Sequence, residues 1–283
     1  MASFTNFATL SYNGGTTNSN IVTGEILEAL TAVKTAVSAN YSAGDRITYA
    51  LSLVNTGTAA ITDYTVTDNL GGYTVGANTV YPLAYNAGTV RYYINGVLQT
   101  APTVTAGPPL TVTGLTVPAG ASAVLIYETT ATPVAPLATG SSITNTATIT
   151  GGGLTNPITA QATVETANSA ELSISKALSP TTVTENGQIT YTFVISNTGN
   201  TEATATGNVV VTDTFDPILR NIAVTYNGTA WTEGTNYTYN AATGVFTTLA
   251  GQITVPAATF TQNTDGTFTV TPGTATLVIT GTV

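Results

Sequence analysis

RITYALSLVNTG at residues 46–57 and QITYTFVISNTG at residues 188–199 are two copies of one segment, and this segment decides the fold. In each copy apolar residues alternate with polar or small ones, and an Asn-Thr-Gly turn follows. A period of two is typical of half-buried strands, because successive side chains of a strand point to opposite faces. Two further segments recur in the same order, YTVTD at 64–68 with VVVTD at 209–213, and VPAGASAVLI at 117–126 with TPGTATLVI at 271–279. The chain therefore contains two copies of one β-rich unit.

The predicted fold class is all-β, with two tandem Ig-like β-sandwiches. Short alternating runs separated by turns rich in Gly, Pro and Asn are typical of such sandwiches. The length of 283 residues is sufficient for two domains with their own cores. We assign residues 1–29 to an N-terminal segment, 30–168 to the first domain and 169–283 to the second.

The composition excludes several classes of function. Only 7% of the residues are charged, the formal net charge is -9, and the chain contains no His and no Cys. The negative charge disfavours nucleic acid and anionic membranes as partners. Without His and Cys, the common catalytic triads and zinc sites are not available. We therefore expect no cofactor, no metal and no conventional enzyme activity.

The second copy of the unit is incomplete, and its missing strand has a counterpart at the other end of the chain. The first copy closes with ITNTATIT at 143–150, but the second copy stops before any such segment. FTNFATLS at residues 4–11 resembles that closing strand. We predict that this N-terminal segment is a donor strand, whose inward-facing residues by alternation are Phe4, Asn6, Ala8 and Leu10.

A sandwich that lacks a strand exposes apolar side chains and unpaired backbone groups, which favours the addition of a strand from another chain. The donor strand of one subunit is then expected to complete the second domain of the next. Such a head-to-tail contact repeats along a filament unless it closes into a ring. The alternative is that the sequence is cut from a longer array of repeats.

The only two lysines of the chain occupy the same position in the two copies. Lys34 and Lys176 lie at equal distances before the repeated segment. Strand alternation places each lysine on the apolar side of its strand, together with one aspartate and one asparagine. The set predicted for the first domain is Lys34, Asp68 and Asn145, and the set for the second is Lys176, Asp213 and Asn6 from a neighbour.

Burial of an amine, a carboxyl and an amide together favours a specific reaction. Burial lowers the pKa of a lysine and raises that of a carboxyl group, so the pair can exist as neutral amine and protonated acid. The amine can then attack the asparagine carbonyl carbon and release ammonia, which forms an isopeptide bond. The alternative is ordinary structure: the lysines reach water, the aspartates cap turns and the asparagines bind backbone.

These residues resemble a known family, the Ig-like bacterial surface repeat catalogued as domain of unknown function number eleven, which is related to isopeptide-forming fimbrial domains. The resemblance covers nearly the whole chain and rests on SKA, ITY, NTG, VTDT and TNTAT, at 175–177, 47–49, 55–57, 211–214 and 144–148. It implies a lysine in the first strand, an acid in a middle strand and an asparagine in the last. Some relatives use Glu as the acid.

The function predicted from the sequence is a structural subunit of an extracellular bacterial filament, either a pilus-like fibre or a spore appendage. Its expected partner is another copy of itself, and an unknown surface receptor is possible in addition. The alternative is a modular surface adhesin or stalk. The expected location is the bacterial cell or spore surface, although the first residues carry no signal-peptide pattern that would indicate an export route.

Overall fold

A computed structural model describes residues 2–26 and 29–283. Within these residues the only helix is a single 3-10 turn, α1 (Ala205–Gly207), and no helix is long and apolar enough to cross a bilayer. The strands are β1 (Ala2–Asn6), β2 (Thr9–Tyr12), β3 (Gly15–Asn18), β4 (Val22–Ile26), β5 (Leu30–Ala36), β6 (Asn40–Tyr41), β7 (Arg46–Asn55), β8 (Ile61–Asp68), β9 (Tyr73–Val75), β10 (Asn78–Val80), β11 (Leu83–Tyr85), β12 (Arg91–Ile94), β13 (Val97–Leu98), β14 (Thr103–Thr105), β15 (Leu110–Val117), β16 (Ser122–Ala131), β17 (Ser142–Gly151), β18 (Ile158–Thr166), β19 (Leu172–Ser179), β20 (Gln188–Asn197), β21 (Thr212–Thr214), β22 (Arg220–Tyr226), β23 (Thr229–Trp231), β24 (Tyr237–Asn240), β25 (Val245–Thr248), β26 (Thr259–Gln262), β27 (Phe268–Thr271) and β28 (Gly273–Thr282).

The chain forms two compact units. Unit 1 comprises Met1–Ala135 and Ser142–Glu165, and unit 2 comprises Pro136–Ser141 and Thr166–Val283. This division differs from the domain boundary expected at 168/169 by a few residues, and it assigns a short segment before β17 to unit 2. Met1, Leu27 and Glu28 of the expected N-terminal segment lie outside the described residues.

Unit 1 is a sandwich of two antiparallel sheets. One sheet has the order β13-β12-β16-β7-β5, with β11 also paired to β16, and the other has the order β14-β15-β8-β17-β18-β6. Alternate residues of β7, β16 and β17 are buried, as the period of two in their sequences requires. Leu51, Tyr64 and Leu125 from both sheets are at most 1% exposed and form part of the core between them.

Unit 2 repeats one sheet of this sandwich and shortens the other. Its large sheet has the order β19-β20-β28-β22-β23, and it is accompanied by a three-stranded sheet β21-β25-β24 and the hairpin β26-β27. Phe193, Leu277 and Phe246 from the two sheets are buried in one apolar cluster. The predicted all-β class with two sandwiches is confirmed.

The two units differ most at the strand that carries the aspartate. In unit 1, β8 pairs with β15 on one side and with β17 on the other, and β18 continues the sheet beyond β17. In unit 2 the corresponding strand, β21, pairs with β25 and is an edge strand of its sheet among the described residues. Unit 2 therefore has an open edge where unit 1 has β17 and β18.

The N-terminal segment is a long β-hairpin rather than the single strand expected at residues 4–11. β1 pairs with β4 and β2 pairs with β3, around a turn at Asn13-Gly14 where Gly14 has a φ of 138°. The predicted strand is interrupted at Phe7 and Ala8, where the Ala8 amide donates to Ser19 Oγ. Its large apolar side chains are exposed, with Phe4 at 53% and Leu10 at 63%.

Candidate functional site

The first candidate site lies inside unit 1, between its two sheets. Lys34 on β5 donates to Asp68 on β8, with 2.5 Å between Nζ and Oδ2. Their side chains are 0% and 1% exposed, so the ion pair is isolated from water. Such a pair is retained only when each charge has close partners, because removing two charges from water costs several kcal/mol per ion.

Asp68 receives two further hydrogen bonds. The Tyr127 hydroxyl from β16 donates to Oδ2, the same oxygen that Lys34 contacts. The backbone amide of Leu70 donates to Oδ1 at 2.9 Å. These donors hold the carboxyl group in one orientation, with Oδ2 turned towards the amine.

Two tyrosine rings enclose the lysine head group. Lys34 Nζ lies 4.8 Å from the centroid of the Tyr49 ring and 5.8 Å from that of Tyr127. Burial lowers the pKa of Lys34 to about 8, although the neighbouring carboxylate of Asp68 acts in the opposite direction. Burial also raises the pKa of Tyr127 well above its ordinary value. The environment therefore increases the fraction of neutral, nucleophilic amine.

Asn145 completes this group from the adjacent strand. On β17, Ala147 lies opposite Asp68, and Asn145 is two residues away on the same buried face. Its side chain is fully buried, and neither its Nδ2 nor its Oδ1 makes a hydrogen bond of ordinary geometry. The amide is nevertheless close enough to the Tyr49 and Tyr127 hydroxyls to lower their pKa values against the effect of burial. A buried amide without partners costs about 1–3 kcal/mol, so this one requires an explanation.

The second candidate site, in unit 2, has the same pair in an open setting. Lys176 on β19 donates to Asp213 on β21, again with 2.5 Å between Nζ and Oδ2. Its amine lies 4.5 Å from the Tyr191 ring centroid and 5.5 Å from that of Phe215. However, the side chains of Lys176 and Asp213 are 40% and 18% exposed. In the single chain these two side chains are therefore only partly buried, because β21 is paired on one side by β25 and its other edge is open.

The rest of β19 is exposed as well. Leu172, Ile174 and Leu178 are between 38% and 55% exposed, whereas Leu30 on the corresponding strand β5 is 3% exposed. In the described part of the chain Asn6 does not lie at this pair, because it is on β1, opposite Val22 in the exposed N-terminal hairpin. Phe4, Ala8 and Leu10 of the predicted donor strand are exposed there too.

Tyr127 is the residue of the first site that the sequence interpretation missed. It stands in an alternating strand, where an aromatic residue is most simply explained as part of the core. A signal was available in the repeat: Tyr127 pairs with Tyr49, while Tyr191, the counterpart of Tyr49, pairs with Ile279. The tyrosine hydroxyl at the aspartate is thus specific to unit 1.

Together, these groups place an amine, a carboxyl and an amide in one dry compartment of unit 1. This is the set of functional groups needed to transfer the asparagine acyl group to the lysine amine. Among residues 2–26 and 29–283, no group of three His, Cys, Asp or Glu side chains is arranged to hold a metal ion.

Comparisons with known proteins give similarity at the level of structure. No family of sequences matches the chain, and no curated protein matches it. The chain is similar to the major pilin subunit BcpA of Bacillus cereus, with 15% identity over 96% of this chain and 73% of that chain, and a TM-score of 0.36. A C-terminal fragment of the major pilin GBS80 of Streptococcus agalactiae is 14% identical over 79% of each chain, with a TM-score of 0.37. The N-terminal domain of a Streptococcus gordonii adhesin is 14% identical, with a TM-score of 0.35, over 47% of this chain and 31% of that chain. The repeat family suggested by the sequence stays a prediction.

Proposed function

We propose that this protein is a structural subunit of an extracellular bacterial filament, such as a pilus-like fibre or a spore appendage. Subunits join head to tail when the N-terminal segment of one completes unit 2 of the next. The observation that carries the proposal is the open edge at β21, which coexists with an exposed copy of the strand that fills this edge in unit 1. The proposed class is also that of the pilus subunits named above.

Donation to a neighbour suits the order of the chain. In the chain the donor precedes the sandwich strands β5 to β18 of unit 1, and the acceptor follows them, so a complete sandwich separates donor and acceptor in sequence. A contact between different surfaces of identical subunits repeats without limit unless the rotation closes a ring. The partner of the subunit is therefore a second copy of itself, and the product is a filament at the cell or spore surface.

Within unit 1 the proposed reaction is a single self-cross-linking step. Neutral Lys34 attacks Asn145 Cγ, the new C–N bond forms, the bond from Cγ to Nδ2 breaks, and ammonia leaves with a proton from the amine. Asp68 in its protonated form donates to the amide oxygen and transfers protons to the leaving group. The lowered pKa of Lys34 and the unpartnered amide of Asn145 support this step.

At unit 2 the same reaction would cross the subunit boundary. If β1 of a neighbour occupies the position that β17 has in unit 1, Asn6 takes the place of Asn145 beside Lys176 and Asp213. A shift of β1 by one residue would turn Phe4 and Asn6 out of the core, so the register is strongly specified. The arriving strand would supply the amide and also exclude the water that now reaches Lys176.

Deletion of residues 1–12 tests the assembly. The shortened chain is expected to form no filaments in electron micrographs, while unit 1 stays folded by circular dichroism because the donor contributes nothing to its core. Filaments that persist after the deletion would contradict strand donation.

Boiling in detergent tests the covalent link separately. Wild-type filaments are expected to leave a ladder of multimers, and Lys176→Ala or Asn6→Ala filaments are expected to leave monomers only. If boiled wild-type filaments also run as monomers, the link between subunits is absent and the non-covalent assembly can still be correct.

A further inference from the structure

The N-terminal hairpin duplicates two strands of unit 1, not one. In unit 1, β17 and β18 form an antiparallel pair that closes the second sheet. The pair β1 and β4 places the same residue types opposite one another. In the hairpin, Ser3 lies opposite Glu25, Thr5 opposite Thr23 and Asn6 opposite Val22. In unit 1, the corresponding pairs are Ser142 opposite Glu165, Thr144 opposite Thr163 and Asn145 opposite Ala162. The resemblance thus extends to the second strand and to the register between the two strands.

In unit 1 the second strand, β18, has its own contacts. It lies between β17 and β6, and the Glu165 amide donates to the Ala39 carbonyl at 2.9 Å. Val164 on β18 and Tyr41 on β6 are both 0% exposed. Strand β18 therefore covers a part of the core that β17 does not reach.

The corresponding part of unit 2 is uncovered. The spacing from Lys34 to Lys176 makes Thr181 the counterpart of Ala39 and Val183 the counterpart of Tyr41. Val183 belongs to no strand and is 37% exposed. Beside it lies an open groove of about 650 Å³, whose lining includes Leu178, Val183, Tyr191 and Pro217. Unit 2 thus lacks a cover for the β18 position as well as for the β17 position.

In the N-terminal hairpin a large residue, Phe4, lies opposite the smallest residue, Gly24, and this combination suits the groove. They correspond to Ile143 and Val164, so the hairpin replaces two medium side chains by one large ring and one glycine. In the free hairpin the Phe4 ring already lies over Gly24, where a Cβ atom would collide with it. In unit 1, Ile143 packs against Gly71, and the equivalent position in unit 2 is Asp216, which lines the groove. An inserted Phe4 would therefore enter the groove.

We propose that the element donated to the neighbour is the whole hairpin of residues 2–26, with β1 beside β21 and β4 against residues 181–183. This inference rests on the proposed function and specifies its donor. A single donated strand would leave residues 181–183 unpaired and the groove half open. Donation of a preformed hairpin also brings the second strand at little extra cost in conformational entropy, because β1 already orders it.

Three full-length variants separate hairpin donation from single-strand donation. Val22 corresponds to Ala162, which is buried. Val22→Asp would therefore place a carboxylate in the interior of the contact between subunits, and it is expected to raise the concentration needed for polymerisation by about 100-fold or more. Thr23→Asp carries the same charge one residue away, at the position of exposed Thr163, and is expected to polymerise like wild type. Phe4→Asp is expected to block polymerisation under either form of donation.

Each result has a distinct meaning. Loss of filaments in Phe4→Asp and Val22→Asp but not in Thr23→Asp supports the hairpin. Loss in Phe4→Asp alone overturns the hairpin and leaves single-strand donation in place. Filaments in all three variants overturn the proposed function itself.

Thiol accessibility gives a second measurement that does not disturb assembly with a charge. The chain has no cysteine, so Val22→Cys and Thr23→Cys each introduce a single thiol. Both thiols are expected to react rapidly with a maleimide in the unassembled subunit, where Val22 is 55% exposed. In filaments the thiol of Val22→Cys is expected to react at least about tenfold more slowly than the thiol of Thr23→Cys, since only the former faces the neighbour's core. Equal rates in filaments would contradict insertion of β4.

Discussion

In both units a lysine of the first strand contacts an aspartate across the sandwich at 2.5 Å, yet the Lys34 side chain is 0% exposed and the Lys176 side chain 40%. The lysines, the aspartates and the strands that carry them correspond. The difference lies in the neighbouring strands, because β17 and β18 cover the first pair and nothing in the described part of unit 2 covers the second. The lysine–aspartate pair is therefore buried only where the antiparallel strands β17 and β18 cover it.

Under the proposed function, this difference sets the order in which the two cross-links would form. In unit 1 the amide and the covering strands belong to the same chain, so folding alone assembles the reactive group. In unit 2 the Asn6 amide and the covering strands would both be supplied by the neighbouring subunit. Reaction between subunits would then follow docking, and a free subunit would not be modified at Lys176.

The largest expected effect is a difference between Lys34 and Lys176 in what each contributes to the free energy of unfolding. In the Phe4→Asp background, which is expected to stay monomeric, Lys34→Met removes the cross-link and also leaves the buried Asp68 without its partner. It should therefore lower the free energy of unfolding by more than the roughly 4–5 kcal/mol expected for the cross-link alone. Lys176→Met should change it by less than about 1 kcal/mol, because that pair is partly solvated. Urea denaturation measures both. Equal losses would remove the distinction between the two sites.

The next effect concerns the asparagines. A bond from Lys34 to Asn145 closes a loop of roughly a hundred residues and is expected to stabilise unit 1 by about 4–5 kcal/mol. Asn145→Ala should lose this stabilisation, and its intact mass should no longer lack one ammonia. Asn6→Ala in the same monomeric background is the matched control and should alter neither quantity. A wild-type mass equal to that of the unmodified sequence would exclude the bond in unit 1.

A smaller effect is expected at Tyr127, which has an isoleucine counterpart in unit 2. Tyr127→Phe removes a buried hydrogen bond to a charged group and should lower the free energy of unfolding by about 1.5–3 kcal/mol. It should also slow the loss of ammonia during refolding, because Asp68 is held less firmly. Ile279→Val, a mild change at the counterpart position, controls for packing. A refolding time course by mass spectrometry that is identical to wild type would show that the hydroxyl has no role in positioning.

The smallest effect is the pH dependence in unit 1. The reactive form, with a neutral Lys34 amine and a protonated Asp68, carries the same number of protons as the ion pair. The rate of cross-linking is therefore expected not to change with pH just below the Lys34 pKa of about 8. Above that pH the shared proton is lost, Asp68 can no longer donate, and the rate should fall by roughly tenfold per pH unit. Refolding into buffers of increasing pH, with the mass followed over time, measures this. A rate that keeps rising above pH 8 would argue against the acid role of Asp68.

Much of the fold could be predicted because strand alternation is a local property. The repeated segments at 46–55 and 188–197 are strands with alternate residues buried. The same period placed Lys34, Asp68 and Asn145 on inward faces, and in the structure all three are at most 4% exposed. The exposure of Lys176 could not follow from its own strand, since it depends on neighbouring strands, and among the described residues β21 has none on its open edge.

The hairpin could have been recognised and was not. Asn13-Gly14 is a strong turn signal, and Val22, Thr23 and Glu25 alternate as the second strand of a hairpin should. The match between the N-terminal segment and residues 143–150 ends at residue 11, before the turn. Asn6 and Val22 are 16 residues apart, whereas Asn145 and Ala162 are 17 residues apart, so the correspondence of β4 to β18 becomes evident only from the paired registers.

Cryo-electron microscopy of the assembled protein would show where the N-terminal hairpin lies. We expect a filament in which residues 2–26 of one subunit lie between β21 and residues 181–183 of the next, with Asn6 beside Lys176 and Phe4 in the groove near Pro217. Filaments in which the hairpin packs elsewhere, or in which the edge of β21 stays open, would contradict it.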